Sequence, residues 1–402
     1  MKPTFYFISG GKMHRYNGDA SEEIHSWVLD SYISKVKSKA ERNEWKYNGQ
    51  GAAFTGSALP NASASDAVSS IFSRVNCIGE YNGNLLYSID IDSTNGIYRK
   101  NSDSDSEGIV LCSSSTHYRD FDIKGDKLVA SAYFAGESHI GVLDMTTGRF
   151  DTYTEGQVRD SSPVWSATDD DVIYFCSAGL PEQEKVEPGE KNAPRGISQI
   201  VNDMYSSTST TLGPSSICVI NIREAALREI LSDNRYNFTH PQSMADGSLY
   251  YIRKPYKYNA GNGNSFGCLL DLLLLPVRLF EAIFGFLNVF SATYSGKTLS
   301  RSNVKNRDER QLMIDGNLIN AERELKDNQR RNEKNPGIIP HSWELRRLDK
   351  NGNDTLVKSG VAAYRVMPNG KIILSNGSHI LCLNKDGSEQ KFVTVEGVSF
   401  IK

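Results

Sequence analysis

The 402-residue sequence predicts an all-β fold: a six-bladed β-propeller, closed by N- and C-terminal strands sharing one blade, with helical insertions. Three observations predict it. Short apolar-alternating segments separated by Gly, Asn and Asp turns recur along the chain, the sign of antiparallel sheet rather than helix. They follow one grammar: strand, tight polar turn, strand, loop, strand, Asn/Asp turn, strand. Each chain end carries part of one such unit.

The clearest copy spans residues 118–154, from Tyr118 to Thr154. Another begins at Ser161 and resumes at Ser215. A third begins at Phe238 and resumes at His341. A fourth runs from Val361 to Val395, and a weaker fifth from Arg74 to Leu111. The sixth is divided. Gly397–Lys402 reads as a first strand, and Thr4–Gly18 as a second strand, a loop and a third strand. Gly370 lies 32 residues before the end and Gly10 lies 10 from the start, which together make a period of 42, the Gly83-to-Gly125 spacing. That length suits one blade. Asn17, Asn101, Asp144, Asn221, Asp349 and Asn384 close the third strands; their side chains can bond the backbone two residues on and nucleate the turn. Radial stacking would then protect sheet edges.

The segments SSPVWSATDDDVIYFCS (161–177) and THPQSMADGSLYYIRKP (239–255) resemble the TolB-like propeller repeat, whose core reads "xxPxWSPDGxxIxFxS". The resemblance covers five of the six units and is weak around Gly83. It departs from the family where Ala167-Thr168-Asp169 replaces the usual Ser-Pro-Asp-Gly turn. It implies a protein-interaction propeller of bacterial type and says almost nothing about activity.

The whole chain, 1–402, therefore reads as one propeller with insertions at about 22–66, 181–214 and 256–340. The last two enlarge second-to-third-strand loops of consecutive blades, which places them side by side on one face. Loops of this length are functional or disordered. The first insertion opens with helical spacing at Ile24, Trp27, Val28, Tyr32 and Val36. The third holds an apolar helix, 266–290, with three charges in 25 residues. Asp271, Arg278 and Glu281 share a stripe about 80° wide. Leu269, Leu272, Leu273, Leu279, Phe280, Ile283, Phe284 and Leu287 make the opposite face, the candidate contact surface for a partner or membrane. Arg253, Lys254 and Lys257 precede the helix; Lys297, Arg301, Lys305, Arg307 and Arg310 follow it, as beside anionic lipid. Three readings stand: a helix folded back onto the protein, a docking surface for a partner protein, or a membrane contact. A charged helix is expected over 303–333, with Leu312, Ile314, Leu318, Ile319 and Leu325 as its apolar positions.

Net charge of −3 gives no support for nucleic-acid binding. The six cysteines (Cys77, Cys112, Cys176, Cys218, Cys268, Cys382) are scattered and read as reduced thiols. The apolar run Phe5–Ile8 is too short for a secretory signal, so a cytoplasmic protein is expected, in the membrane reading at the inner face. Motifs that imitate chemistry lack its context. Gly263-Asn264-Ser265-Phe266-Gly267 has no preceding strand. Ser295-Gly296-Lys297-Thr298 lacks the first glycine of a phosphate loop. Asp103, Asp105 and Glu107 suit a polar turn as well as calcium. His139 and His379 occupy equivalent positions in separate units, and His14, His25, His117, His240 and His341 do not cluster. The first-strand starts (Ser73, Tyr118, Ser161, Phe238, Val361) carry no repeated carboxylates. No metal and no cofactor are expected. The expectation is a non-catalytic interaction scaffold. The alternatives are a channel-centred ligand binder or enzyme, and a membrane-tethered sensor or subunit of a bacterial multi-protein system.

Overall fold

A computed structural model of the chain describes residues 3–42, 73–91, 95–101, 104, 106–180, 212–256, 311–314 and 317–402. The described strands form six four-stranded antiparallel meanders and one two-stranded ribbon. Meander I pairs β26 (Val398–Ile401), β1 (Phe5–Ser9), β2 (Lys12–Tyr16) and β3 (Ser21–Ile24). Meander II holds β4 (Ser73–Tyr81), β5 (Asn84–Ile91), β6 (Asn95–Lys100) and β7 (Glu107–Ser113). Meander III holds β8 (His117–Lys124), β9 (Lys127–Phe134), β10 (Glu137–Asp144) and β11 (Phe150–Thr152). Meander IV holds β12 (Val158–Trp165), β13 (Val172–Gly179), β14 (Ser216–Asn221) and β15 (Ala226–Leu231). Meander V holds β16 (Tyr236–Ser243), β17 (Leu249–Pro255), β20 (Glu344–Leu348) and β21 (Asp354–Ser359). Meander VI holds β22 (Ala363–Val366), β23 (Ile372–Ser375), β24 (His379–Leu383) and β25 (Glu389–Thr394). Meanders III and IV share one sheet through a parallel bridge, Ser138 to Arg159.

The two chain ends meet in meander I. Phe7 pairs with Ile401 and Ile8 with Phe400, and Lys402 exchanges backbone bonds with Tyr6 at 2.8 and 2.9 Å. One detail of the repeat count is corrected here. Gly370 lies between β22 and β23, a first-to-second turn, whereas Gly10 lies between β1 and β2, a second-to-third turn. These glycines are not equivalent, because the turn matching Gly370 falls at the chain ends themselves. Gly83 and Gly125 do occupy equivalent first turns. Both have positive φ (76° and 56°), which a residue with a Cβ adopts reluctantly.

The third-strand markers act as turn nucleators. The side-chain oxygens of Asn17, Asp144 and Asn221 each accept two successive backbone N–H groups. Asp349 accepts from Asn351 and Asn353. Asn101 and Asn384 instead donate to serine hydroxyls, Ser106 at 2.7 Å and Ser388 at 2.9 Å.

Five core clusters lie between consecutive meanders. Cys77, Leu86 and Ile97 meet Tyr118, Phe121 and Leu128, with Phe400 packed alongside. Val129, Ile140 and Val142 meet Trp165, Ile173 and Phe175. Cys176 and Ile217 meet Phe238 and Tyr251; Ile252 and Leu345 meet Tyr364 and Ile372; Ala363 and Ile380 meet Phe5, Phe7 and Ile401. Meanders I and II join where the Val75 N–H donates to the Gly11 carbonyl at 2.9 Å. Each fully buried Phe, Leu or Ile contributes roughly 1.5–3 kcal/mol.

Two expected helices are resolved differently. Ile24 ends strand β3, and helix α1 starts at Trp27 and runs to Arg42. The Ser26 hydroxyl accepts the Leu29 N–H at 3.1 Å, so Ser26 caps that start. The charged helix expected over 303–333 is a correction. Residues Gln311–Ile314 (β18) and Asn317–Asn320 (β19) pair as a ribbon, and the helix, α2, spans only Ala321–Arg330. The sequence between the strands, Asp315-Gly316, is a strong hairpin signal. Asn320 then caps α2, its side chain accepting the Arg323 N–H. Ile314 and Ile319 bury against Ile338, Ile339, Trp343 and Ala362. Here Gly337 is required by close approach: a Cβ would collide with Asn376, whose carbonyl accepts the Ile338 and Ile339 N–H groups.

The chain divides into two compact units. The first comprises Met1–Ile24, Val75–Lys257 and Arg310–Lys402, and the second His25–Arg74 and Tyr258–Glu309. All six meanders belong to the first unit, except the opening residues of β4.

Candidate functional site

Functional groups concentrate on the first strands of the meanders, beyond the starting positions read from the sequence. Tyr118 and Phe238 are buried core residues, as is Val361 just before β22. The charged groups lie further along: Asp120 and Asp122 on β8, His240 on β16, Arg365 on β22, and Lys402 after β26. Bulges set them. Pairing shifts between Tyr118 and Phe121, between Ser161 and Val164, and between Thr239 and Gln242. At the last two sites a non-glycine residue before proline takes positive φ, Ser162 at 50° and His240 at 54°. Such backbone persists only where the surroundings over-determine it.

Neighbouring meanders supply that support. The Ser162 N–H donates to Asp120 Oδ2 at 3.1 Å, and the Tyr364 hydroxyl donates to the His240 carbonyl at 2.7 Å. Gln242 both accepts from and donates to the Val366 backbone, each at 2.9 Å. Asp122 accepts the Trp165 N–H at 3.1 Å and the Lys402 ammonium at 2.8 Å. Burial pushes the Asp122 carboxyl up, but Lys402, Arg365 and the Trp165 N–H outweigh it and hold it below the usual range. Burial, with the Lys254 charge, pulls His240 down to about 4, against the opposing pull of Asp120. Burial likewise brings the Lys254 amine down to about 7, while it lies 4.4 Å from the Trp343 ring centroid.

Lys254 and Arg253 therefore correct one expectation. They do not form a basic flank facing lipid. Both lie inside β17, where Lys254 is 3% exposed and Arg253 pairs with Glu344 at 2.6 Å.

The stems of the two second-to-third-strand excursions meet. Meander IV leaves at Gly179–Leu180 and returns at Leu212–Ser215, the Gly213 N–H donating to the Gly179 carbonyl at 2.9 Å. Meander V leaves at Tyr256, whose N–H donates to Arg235 O at 2.8 Å. The Tyr256 hydroxyl donates to the Leu212 carbonyl at 2.6 Å, joining one stem to the other.

Near this end stand two arginine–tyrosine–arginine stacks. In meanders III and IV, the Arg119 and Arg159 guanidiniums lie 4.9 and 5.6 Å from the Tyr133 ring centroid. Asp90 faces Arg119 Nε at 3.3 Å and the His117 Nδ1 at 2.7 Å. Asn95 fixes the histidine proton. Its side-chain oxygen accepts the Ile91 N–H, so its amide nitrogen must donate to His117 Nε2, leaving the proton on Nδ1. Arg159 Nε donates to the Gly136 carbonyl at 2.9 Å. In meander V, Arg253 and Arg235 lie 4.4 and 5.5 Å from the Tyr236 ring centroid. Arg235 binds Asp233 through two nitrogens, and the Glu344 carboxylate takes both Arg253 and Arg346.

Leu269, Leu272, Leu273, Leu279, Phe280, Ile283, Phe284 and Leu287 lie outside the described residues, as do the 263–267 and 295–298 motifs, Cys268, Asp103 and Asp105. Glu107 sits on β7 beside Lys100, at 3.7 Å. His139 and His379 both lie on third strands, β10 and β24. Cys77, Cys176, Cys218 and Cys382 are buried and free, and Cys112 is exposed and free. Among the described residues, no group of three His, Cys, Asp or Glu could hold a metal, and no helix is long and apolar enough to cross a membrane.

No family model and no curated protein matches the sequence. In structure the chain is similar to TolB from Acinetobacter baumannii, at 8% identity and a TM-score of 0.47, over 99% of this chain and 65% of that one. It is also similar to the tricorn protease (10% identity, TM-score 0.41, 98% of this chain and 29% of that one). A chain of a nidogen–laminin complex matches at 8% identity and TM-score 0.43, over 99% of this chain and 97% of that one. The chain thus spans less than two thirds of the TolB and tricorn chains. At these values the likenesses argue for neither an activity nor a partner.

Proposed function

We propose that the chain is a non-catalytic interaction scaffold: a six-bladed β-propeller whose two long excursions, departing from adjacent stems, engage a partner. The Tyr256-to-Leu212 hydrogen bond carries the reading, because it places the two stems side by side. The ring is supported by contacts from each meander to the next, returning from VI to I through the Phe5–Ile380 cluster and from I to II at Gly11–Val75. The non-catalytic part rests on the first-strand groups. Asp122 and Gln242 are spent on neighbouring strands, and Asp120 holds the Ser162 N–H.

The apolar segment 266–290 is the proposed contact, through Phe280 and Phe284. Docking apolar surface contributes about 25 cal/mol per Å², offset by ordering costs. The test compares the partners captured by the full chain with those captured by Phe280→Ala/Phe284→Ala. The expected result is loss of a specific partner with unchanged melting; an unchanged partner set sinks the reading. Partition of wild type, but not the variant, with membranes on fractionation would make lipid the contact.

A second reading, a channel-centred ligand binder or enzyme, is favoured by one observation. A buried amine brought near neutrality, as Lys254 is, often marks a functional site. Lys254→Met separates the readings. A structural lysine gives up its contact with the Trp343 ring on replacement but also its desolvation penalty, which weighs on the folded state as pH falls towards about 7 and is absent from the variant. A functional one leaves a stable protein without its ligand.

A further inference from the structure

We propose that Arg119 and Arg159 form a docking clamp for an acidic segment of a partner protein. Both guanidiniums are held from behind. Tyr133 lies against each, Asp90 faces Arg119 Nε, and the Gly136 carbonyl accepts from Arg159 Nε. Among the described residues no acceptor faces their terminal nitrogens. Arg119 is 41% exposed, so solvent and ligand reach it. An anchored arginine has already lost most of the side-chain freedom that binding would otherwise remove, and its fork matches a carboxylate in two-point geometry. The stack in meander V shows the satisfied form of the same arrangement, with Asp233 and Glu344 supplying the carboxylates. Among the described residues no carboxylate meets the clamp's terminal nitrogens, and the complementary partner is one that brings them.

Its position suits a partner-facing role. Arg159 pairs with Ala178 on β13, and the Leu180 N–H donates to the Gln157 carbonyl, where the meander IV excursion departs. The inference goes beyond the scaffold reading and does not depend on residues 266–290.

The experiment titrates the full chain with a fluorescent hexaglutamate peptide at low ionic strength, with hexaglutamine and inorganic phosphate as comparisons. Saturable hexaglutamate binding is expected, weakening with added salt, with no binding of hexaglutamine. Arg119→Gln and Arg159→Gln should each weaken it about tenfold, and the pair should abolish it. Arg159→Lys, which keeps the charge and loses the fork, should fall between. Arg235→Gln should leave binding unchanged, and melting curves verify that every variant is folded. The proposal is overturned if wild type does not bind, if the double variant binds as wild type does, or if Arg235→Gln weakens binding equally. It is also overturned if inorganic phosphate binds at the clamp and hexaglutamate does not, which would make it a site for a small free anion.

Discussion

The two arginine–tyrosine–arginine stacks share one motif and differ in where their charge is answered. Around Tyr236, Arg235 and Arg253 are neutralised by Asp233 and Glu344. Around Tyr133, Asp90 faces one Nε and a backbone carbonyl takes the other, while no described acceptor bonds the terminal nitrogens. The first arrangement completes itself and stabilises the sheet. The second is pre-organised at its base and open at its tip. A cation–π stack alone thus says nothing about function; the placement of the carboxylates does.

The largest test breaks the closed stack. Glu344→Gln leaves Arg253 and Arg346, both mostly buried, without their shared carboxylate, and should destabilise by about 2–3 kcal/mol in urea unfolding. Combined with Asp233→Asn, it should also give the Tyr236 stack a new, weak affinity for hexaglutamate. A stable double variant that binds nothing would show that unpaired guanidiniums do not suffice. Next, Arg253→Gln should cost about 2 kcal/mol, whereas Arg159→Gln should cost about 0.5 kcal/mol, since only the former removes one of the two guanidiniums that neutralise a partially buried carboxylate. Equal losses would erase the distinction. Asp90→Asn should cost about 1 kcal/mol and weaken peptide binding, because Arg119 and His117 lose the group that aims them.

The smallest effect is a titration. Hydrogen bonds from the Arg235 side chain and N–H hold the Asp233 carboxyl down at about 2. A depressed folded value means that its contribution to stability is present above the unfolded value and disappears as pH falls through about 2. The Asp233 carboxyl carbon should therefore titrate near pH 2 by NMR, and the Arg235–Asp233 pair should stay closed in mild acid. A midpoint near the ordinary aspartate value would show that the pair is not formed.

Much of the fold was legible because turn chemistry is local. Asn17, Asp144 and Asn221 mark turns through bonds to residues two and three positions on, which any strand-turn-strand sequence must repeat. The divided unit was legible because Gly397–Lys402 and Thr4–Gly18 are incomplete alone, even though Gly370 and Gly10 proved non-equivalent. The 303–333 segment was misread because its apolar positions suit both periods. The Asp315-Gly316 hairpin signal and the Asn320 cap are more informative there than the charge.

The candidate site was hardly legible. Asp122 and Lys402 are 280 positions apart, and nothing local announces that they meet. Arg119 and Arg159 look like ordinary surface residues of alternating strands until the bridge from Ser138 to Arg159 brings meander IV against Tyr133. By itself the sequence determined the four-stranded repeat, its turns and the union of its ends, since these depend on neighbours within a few residues. Only the tertiary structure decided which arginines meet a described carboxylate through their terminal nitrogens and which do not. That depends on strand register and bulges, where a shift of one residue sends a side chain to the opposite face.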